Sequence, residues 1–476
     1  MKIHILTIAF LSMLFGCKSD QGSTGGKVFL GGEIINPNNK YVLFKYPNSQ
    51  HIDTLPLNDN NRFSKAMDSL KPGIYTFLHG GEYQLVFLEP GDSIMLRLNT
   101  MDFDESLVFT GRGAKKNNFF ITSFLRDETD NNRFMRLMWE SEPKVFEKAL
   151  DSNRLERFNI LREYLKNNDE SDYFTKIAVA NINYNYYANK ELYPFGYYGY
   201  SNLIHFKDLI DDGFYDFRKD LDYNDESLMG CIPYTKFLFW HFNNLALNKY
   251  YKNASHNVVF SKESAAYNLE KLRLMDSTID NETVKNHLLK YSARDFITTS
   301  KDSLETDEIL TSFLEKSTNE NDREYIKGLV SSVKRMSVGK PLPNVTLLDF
   351  DENKVSIRSL IKRPTVIYFW SYNQPSQLKN YHLKAQSLKT KYPEIDFIAI
   401  SINDDETFHW KNTLKQFNLP KSNQFHFMHP HEAVQTLSVY GITKTILVNT
   451  DGTIVVPNGY LITSEFEEEL AKCLKK

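Results

Sequence analysis

The sequence predicts a multidomain chain: an N-terminal antiparallel β-sandwich-like domain, a central all-α domain and a C-terminal α/β domain. Three observations predict it. Across residues 27–113, short runs rich in β-branched and aromatic residues are separated by Asn, Pro, Gly and Asp clusters, the pattern of strands joined by turns. Across residues 114–336, Gly and Pro become sparse and apolar residues recur at three- and four-residue spacing, as on amphipathic helices. Across residues 337–476, continuous apolar runs alternate with amphipathic stretches, which implies an α/β layer fold with parallel strand pairing. A chain of 476 residues is too long for one ordinary domain.

The first part is built from runs such as Val28-Phe29-Leu30, Tyr41-Val42-Leu43-Phe44, Ile74-Tyr75-Thr76-Phe77-Leu78 and Leu85-Val86-Phe87-Leu88. Lys71-Pro72-Gly73 and Glu89-Pro90-Gly91-Asp92 mark turns between them. The stretch LVFLEPGDSIMLRLN, followed by LVFTGRGAKKNNFF, resembles a small β-domain found at the N-terminus of many Bacteroidetes thioredoxin-like lipoproteins. That resemblance implies no chemistry.

In the second part Phe119, Phe120, Phe124, Leu269, Leu272 and Leu274 illustrate the helical spacing. No fixed period marks a repeat array. An unusual tyrosine-rich stretch runs from Asn183-Tyr184-Asn185-Tyr186-Tyr187 to Tyr193-Pro194-Phe195-Gly196-Tyr197-Tyr198-Gly199-Tyr200. Tyrosine offers flat apolar area and a hydroxyl, so the stretch reads either as a tyrosine-packed helix–loop–helix corner or as a contact surface for glycan or peptide.

The third part opens at Gly339-Lys340-Pro341-Leu342-Pro343. Residues 366–370 and 397–402 read as buried strands, with an amphipathic helix over 378–392 between them. Residues 409–417 read as a helix and 445–449 as a third strand. Asp451-Gly452 turns the chain into 453–456, and a helix over 465–474 closes it. This order resembles the thioredoxin-like fold of the TlpA and peroxiredoxin relatives. The resemblance implies that the Phe-Trp strand should run into a Trp-Cys-x-Pro-Cys loop at a helix N-terminus. There one thiolate attacks a substrate disulfide and the other resolves the mixed disulfide.

Here the strand runs into Ser371-Tyr372-Asn373-Gln374-Pro375-Ser376-Gln377. Aligned on the proline, Asn373 and Ser376 take the cysteine positions; aligned on Phe-Trp, Gln374 and Gln377 do. Neither alignment supplies a thiol, and a serine without an identifiable base is a weak nucleophile. Thr443 stands where the family places its cis-proline, and a cis bond before threonine would cost about 3 kcal/mol. The expectation is a redox-inactive thioredoxin-like domain acting as a binding or assembly module. Two alternatives stay open: a TlpA-type thiol–disulfide oxidoreductase, and a glycan- or peptide-binding protein.

Cys17, Cys231 and Cys473 are the three cysteines, with no CxxC or zinc-type spacing. Whether Cys231 and Cys473 pair is open from sequence. His426, His429 and His431, with His409, are the one candidate metal cluster, but they fit no ligand motif and read as a polar loop before a helix over 432–440. No metal or other cofactor is expected.

The N-terminus reads MKIHILTIAFLSMLFGC: one basic residue, then an apolar run too short for a membrane span, which needs about 20 residues. Leu14-Phe15-Gly16-Cys17 resembles a bacterial lipobox. That resemblance implies a signal peptide over 1–16, lipid attachment at Cys17 and a tether over 17–26. Each buried acyl methylene contributes about 0.8 kcal/mol to anchoring. The expected location is the cell envelope, on an outer or inner membrane facing periplasm or cell surface. A protein partner is expected there. The net charge of -3 gives no electrostatic basis for nucleic-acid binding.

Overall fold

The computed structural model describes residues 26–47, 49, 51–198, 210, 212–253, 261–300, 303–403 and 407–475. Cys17, its lipobox and the Gly199-Tyr200 end of the tyrosine-rich stretch lie outside the described residues.

Eight strands open the chain: β1 (Val28–Ile35), β2 (Tyr41–Lys45), β3 (Ile52–Pro56), β4 (Arg62–Met67), β5 (Gly73–His79), β6 (Glu82–Leu88), β7 (Ser93–Asn99) and β8 (Val108–Arg112). They form two four-stranded sheets, ordered β4-β1-β7-β8 and β3-β2-β5-β6. Burial alternates along β5 and β7, as it must when one sheet face is packed. Leu30, Phe44, Phe77, Leu96 and Leu98 fill the core. One pairing corrects the antiparallel expectation: β1 runs parallel to β7, with Phe29 opposite Ser93. Parallel neighbours need a long crossover, and here β2 to β6 supply it.

A helical region follows: α1 (Ala114–Glu140), α2 (Pro143–Lys166), α3 (Asp172–Tyr198), α4 (Ile232–Asn253), α5 (Ala265–Thr278), α6 (Glu282–Thr299), α7 (Ser303–Lys316) and α8 (Glu320–Arg335). Side chains of Ser264, Asn281 and Asn319 cap α5, α6 and α8 by accepting from backbone amides. The start of α1 is fixed to the sandwich. Gly113 precedes it at φ 92°, where a Cβ would stand 2.3 Å from Asp92 Oδ1. Lys116 Nζ pairs with Glu89 at 2.6 Å and Asp92 at 3.0 Å. The Asn117 amide exchanges two hydrogen bonds with the Phe87 backbone. The Phe87 ring enters the helical core.

The tyrosine-rich stretch is not a helix–loop–helix corner over its described part. Residues 183–198 continue α3, with Pro194 inside the helix. Packing overrides the local cost of that proline: Tyr193 is fully buried against Phe146 and Phe214.

The last part contains β9 (Thr346–Leu348), β10 (Lys354–Ser356), β11 (Thr365–Trp370), α9 (Pro375–Lys391), β12 (Asp396–Ser401), α10 (Thr407–Gln416), β13 (Gln424–Phe427), α11 (Pro430–Thr436), β14 (Lys444–Val448), β15 (Ile454–Tyr460) and α12 (Ser464–Cys473). The seven strands make one sheet, ordered β10-β9-β13-β12-β11-β14-β15. Its pairing is mixed, which corrects the parallel expectation. β11, β12 and β13 are parallel, while β9, β14 and β15 run antiparallel to their neighbours. For β14 and β15 this follows from connection length, since the Asp451-Gly452 turn is too short to join parallel strands. Alternation along β11 sends Val366, Tyr368 and Trp370 toward α9, α10 and α12, and Ile367 and Phe369 toward α11. Burial on both faces explains why this strand reads as continuous apolar sequence.

Candidate functional site

β11 delivers the chain to the loop in question, and α9 leaves it. Asn403, just after β12, holds the loop from behind. Its Oδ1 accepts from the Tyr372 amide at 3.2 Å, and its Nδ2 donates to Ser371 Oγ at 3.0 Å. Ser371 Oγ in turn accepts from the Asn373 amide at 3.2 Å. Pro375 occupies the first turn of α9, where its missing amide costs nothing.

Of the residues singled out in the sequence, Gln374, Pro375 and Ser376 are exposed. Ser376 has no hydrogen-bond partner among the described residues, so nothing placed there would activate its hydroxyl. Gln377 turns inward. Its Nε2 donates to the carbonyls of Phe369 at 3.3 Å and Ile442 at 3.2 Å, joining the end of β11 to the loop before β14. Tyr381 adds a second tie, its hydroxyl donating to the Thr443 carbonyl at 3.1 Å. Thr443 is exposed, and there is no cis peptide bond among the described residues. Asn373 lies under the tip of the β5–β6 hairpin: a Cβ on Gly81, whose φ is 89°, would stand 1.8 Å from Asn373 Nδ2.

Cys231 and Cys473 lie in different cores and form no disulfide. Burial pushes the Cys231 thiol up to about 12, far from the range of a reactive thiolate. Cys473 sits on α12, its Sγ 3.8 Å from Asn449 Oδ1.

The histidines do not share one environment. His426 lies on buried β13 rather than in a polar loop, against the Trp410 ring, with Nδ1 2.7 Å from the Phe427 carbonyl. His429 precedes α11, His431 is exposed on it, and His409 is on α10 with its ring 6.0 Å from Tyr372. Among the described residues, no group of three or more His, Cys, Asp or Glu is placed to hold a metal ion. Of the α3 tyrosines, Tyr184 and Tyr187 pack on each other and on Phe237 and Phe217.

Two buried groups behind the loop escaped sequence reasoning. His382 donates through Nδ1 to the Leu378 carbonyl at 2.8 Å and accepts from Gln424 Nε2 at 3.0 Å, and burial holds its pKa below the ordinary value. Lys444 follows Thr443 into β14 and donates to the Ser438 carbonyl at 3.0 Å, and burial pushes it down to about 7. Their only sequence signal is position: His382 falls on the apolar face of α9 with Leu378 and Ala385, and Lys444 abuts an apolar run.

The mixed sheet with helices on both faces, and the loop at the N-terminus of α9, define a thioredoxin-like protein. The chain is 24% identical over 152 residues to the thiol-disulfide oxidoreductase ResA of Bacillus cereus, a match covering 32% of this chain and 84% of that one. Among solved structures it is similar to the C-terminal domain of a protein assigned as a thiol-disulfide oxidoreductase in Bacteroides thetaiotaomicron. That match has 23% identity and a TM-score of 0.26, covering 30% of this chain and 98% of the other. It is also similar to the thioredoxin domain of a thiol-disulfide oxidoreductase from Bacteroides vulgatus, at 18% identity and a TM-score of 0.23, covering 29% and 96%. No family model matches the chain. Among the described residues, no helix is long and apolar enough to cross a membrane.

Proposed function

We propose that this chain is a lipid-anchored envelope protein whose thioredoxin-like domain exchanges no disulfides and serves as a binding or assembly module. One observation carries the reading: where a thiol pair would open α9, the loop presents amides and a hydroxyl, and the Gln377 amide bonds across to the Ile442 carbonyl. A carboxamide offers neither a nucleophile nor a leaving group for disulfide exchange. The anchor is the lipid on Cys17, and the partner is another envelope protein.

The similarity to ResA favours a second reading, a thiol–disulfide oxidoreductase acting through a residue outside the loop or through a partner's cysteines. Insulin reduction by dithiothreitol separates the two. The unaltered chain should add nothing to the rate with dithiothreitol alone, while Gln374→Cys/Gln377→Cys or Asn373→Cys/Ser376→Cys should accelerate it. Acceleration by the unaltered chain to the level of either double variant would favour the oxidoreductase.

A further inference from the structure

Between the second sheet of the sandwich and helices α1 to α4 lies a cavity of about 310 Å³, within the roughly 300–1,000 Å³ range of small-ligand sites. Its lining divides by chemistry. Phe119, Phe120 and Phe124 of α1, with Ile177 and Ile182 of α3, supply apolar surface. Asp127 and Asp130 of α1, Arg157 of α2, Asn185 of α3 and Lys236 of α4 supply polar groups.

The acids are already matched. Arg157, 9% exposed, donates from Nη2 to Asp127 and, at 3.2 Å, to Asp130 Oδ2. Asn153 donates to Asp130 at 2.8 Å, and the nearby Asn185 side chain favours the charged form of Asp127. Among the cations, Arg154 donates to Asn183 Oδ1 at 3.0 Å, and two donors are left over, the Lys236 ammonium and Arg157 Nε. Lys236 makes no hydrogen bond and no ion pair within 4 Å among the described residues. It is influenced only by the more distant charge of Asp127, and burial lowers its pKa. Arg157 Nε is buried without a hydrogen-bond partner among the described residues. Lys236 is half-buried with no direct ion-pair partner among the described residues, and a carboxylate meeting it gains a charge-assisted hydrogen bond.

We infer that this cavity binds a small molecule with an apolar body and one carboxylate, the carboxylate seated on Lys236 and the body against the α1 phenylalanines. The site is remote in chemistry and in sequence from the loop at α9 and stands independently of any redox role. Glu128, exposed beside the cavity, would instead favour an amine, so the two head groups make a direct comparison.

The test is calorimetric titration of the full chain with phenylbutanoate, phenylbutanol and phenylbutylamine. Saturable one-to-one binding of the acid is expected, tighter than that of the alcohol or the amine. Lys236→Met should weaken the acid about tenfold or more, the effect of losing one charge-assisted hydrogen bond, and leave the alcohol unchanged. Lys236→Arg should keep the preference for acid, which separates loss of charge from loss of fold; thermal melting of each variant checks the latter. No saturable binding of the acid, preference for the amine, or equal acid affinity in a folded Lys236→Met protein would overturn the assignment.

Discussion

Gln377 donates from one nitrogen to two carbonyls, Phe369 on β11 and Ile442 before β14. Gln377→Ala should therefore lower stability by about 1–2 kcal/mol, read from denaturant midpoints, because each bond contributes about 1 kcal/mol net. Lys444 acts through its charge. Burial pushes its pKa from 10.5 to about 7. Between those values the unfolded chain binds more protons than the folded one, so stability rises with pH through that window and is flat below it. Lys444→Met should remove that slope and raise stability at neutral pH, by about 1.4 kcal/mol for every tenfold loss of proton affinity that burial imposes on the lysine. Lys271, pushed to about 8 by burial in the helical region, titrates in both proteins and cancels in the comparison. The absence of a thiol at 371–377 was legible from sequence, because it needs only residue identities. The inward turn of Gln377 was not: its exposed neighbour Gln374 is the same residue type, and only the carbonyls of distant segments distinguish them.

The hairpin tip at Gly80-Gly81 shows how one element constrains another. Gly81 has φ 89° and no room for a Cβ beside Asn373. Gly81→Val should strain the turn and push the tip off the loop. The expected readout is faster amide exchange at residues 80–82 and 371–374, with β12 protection unchanged; protection at 371–374 equal to the unaltered protein would mean that the tip does not hold the loop. Elements with a strong pattern were legible. The runs rich in β-branched and aromatic residues became β1, β2, β5 and β6, and the continuous apolar runs became β11, β12 and β14. β13 was not, because alternation puts Gln424 and His426 on the face toward α9 and α10, so Gln-Phe-His-Phe reads as a polar loop. Partner identity was hidden too: β1 against β7 and β9 against β13 join segments far apart in sequence, and no local pattern encodes which strand meets which.

Across the whole molecule, the sandwich and the helices share structure. The Phe87 ring packs on Phe120, Tyr173 and Phe174, and its backbone is held by Asn117. Phe87→Ala should cost about 3–5 kcal/mol and lower the melting of both parts together, which calorimetry would show as one shifted transition. The helical region meets the last part where Tyr440 packs against the helical core and where Asn458 donates to the Thr298 carbonyl at 3.2 Å. This arrangement keeps Cys231 in the helical core and Cys473 on α12, and it leaves the α9 loop with no sulfur of its own. The central claim is that such a loop exchanges no disulfides. The most direct measurement is insulin disulfide reduction by the full chain, beside a Cys231→Ser/Cys473→Ser variant. The account predicts that both match dithiothreitol alone; a faster rate in the unaltered chain that the variant loses would contradict it and place the redox chemistry on one of those two cysteines.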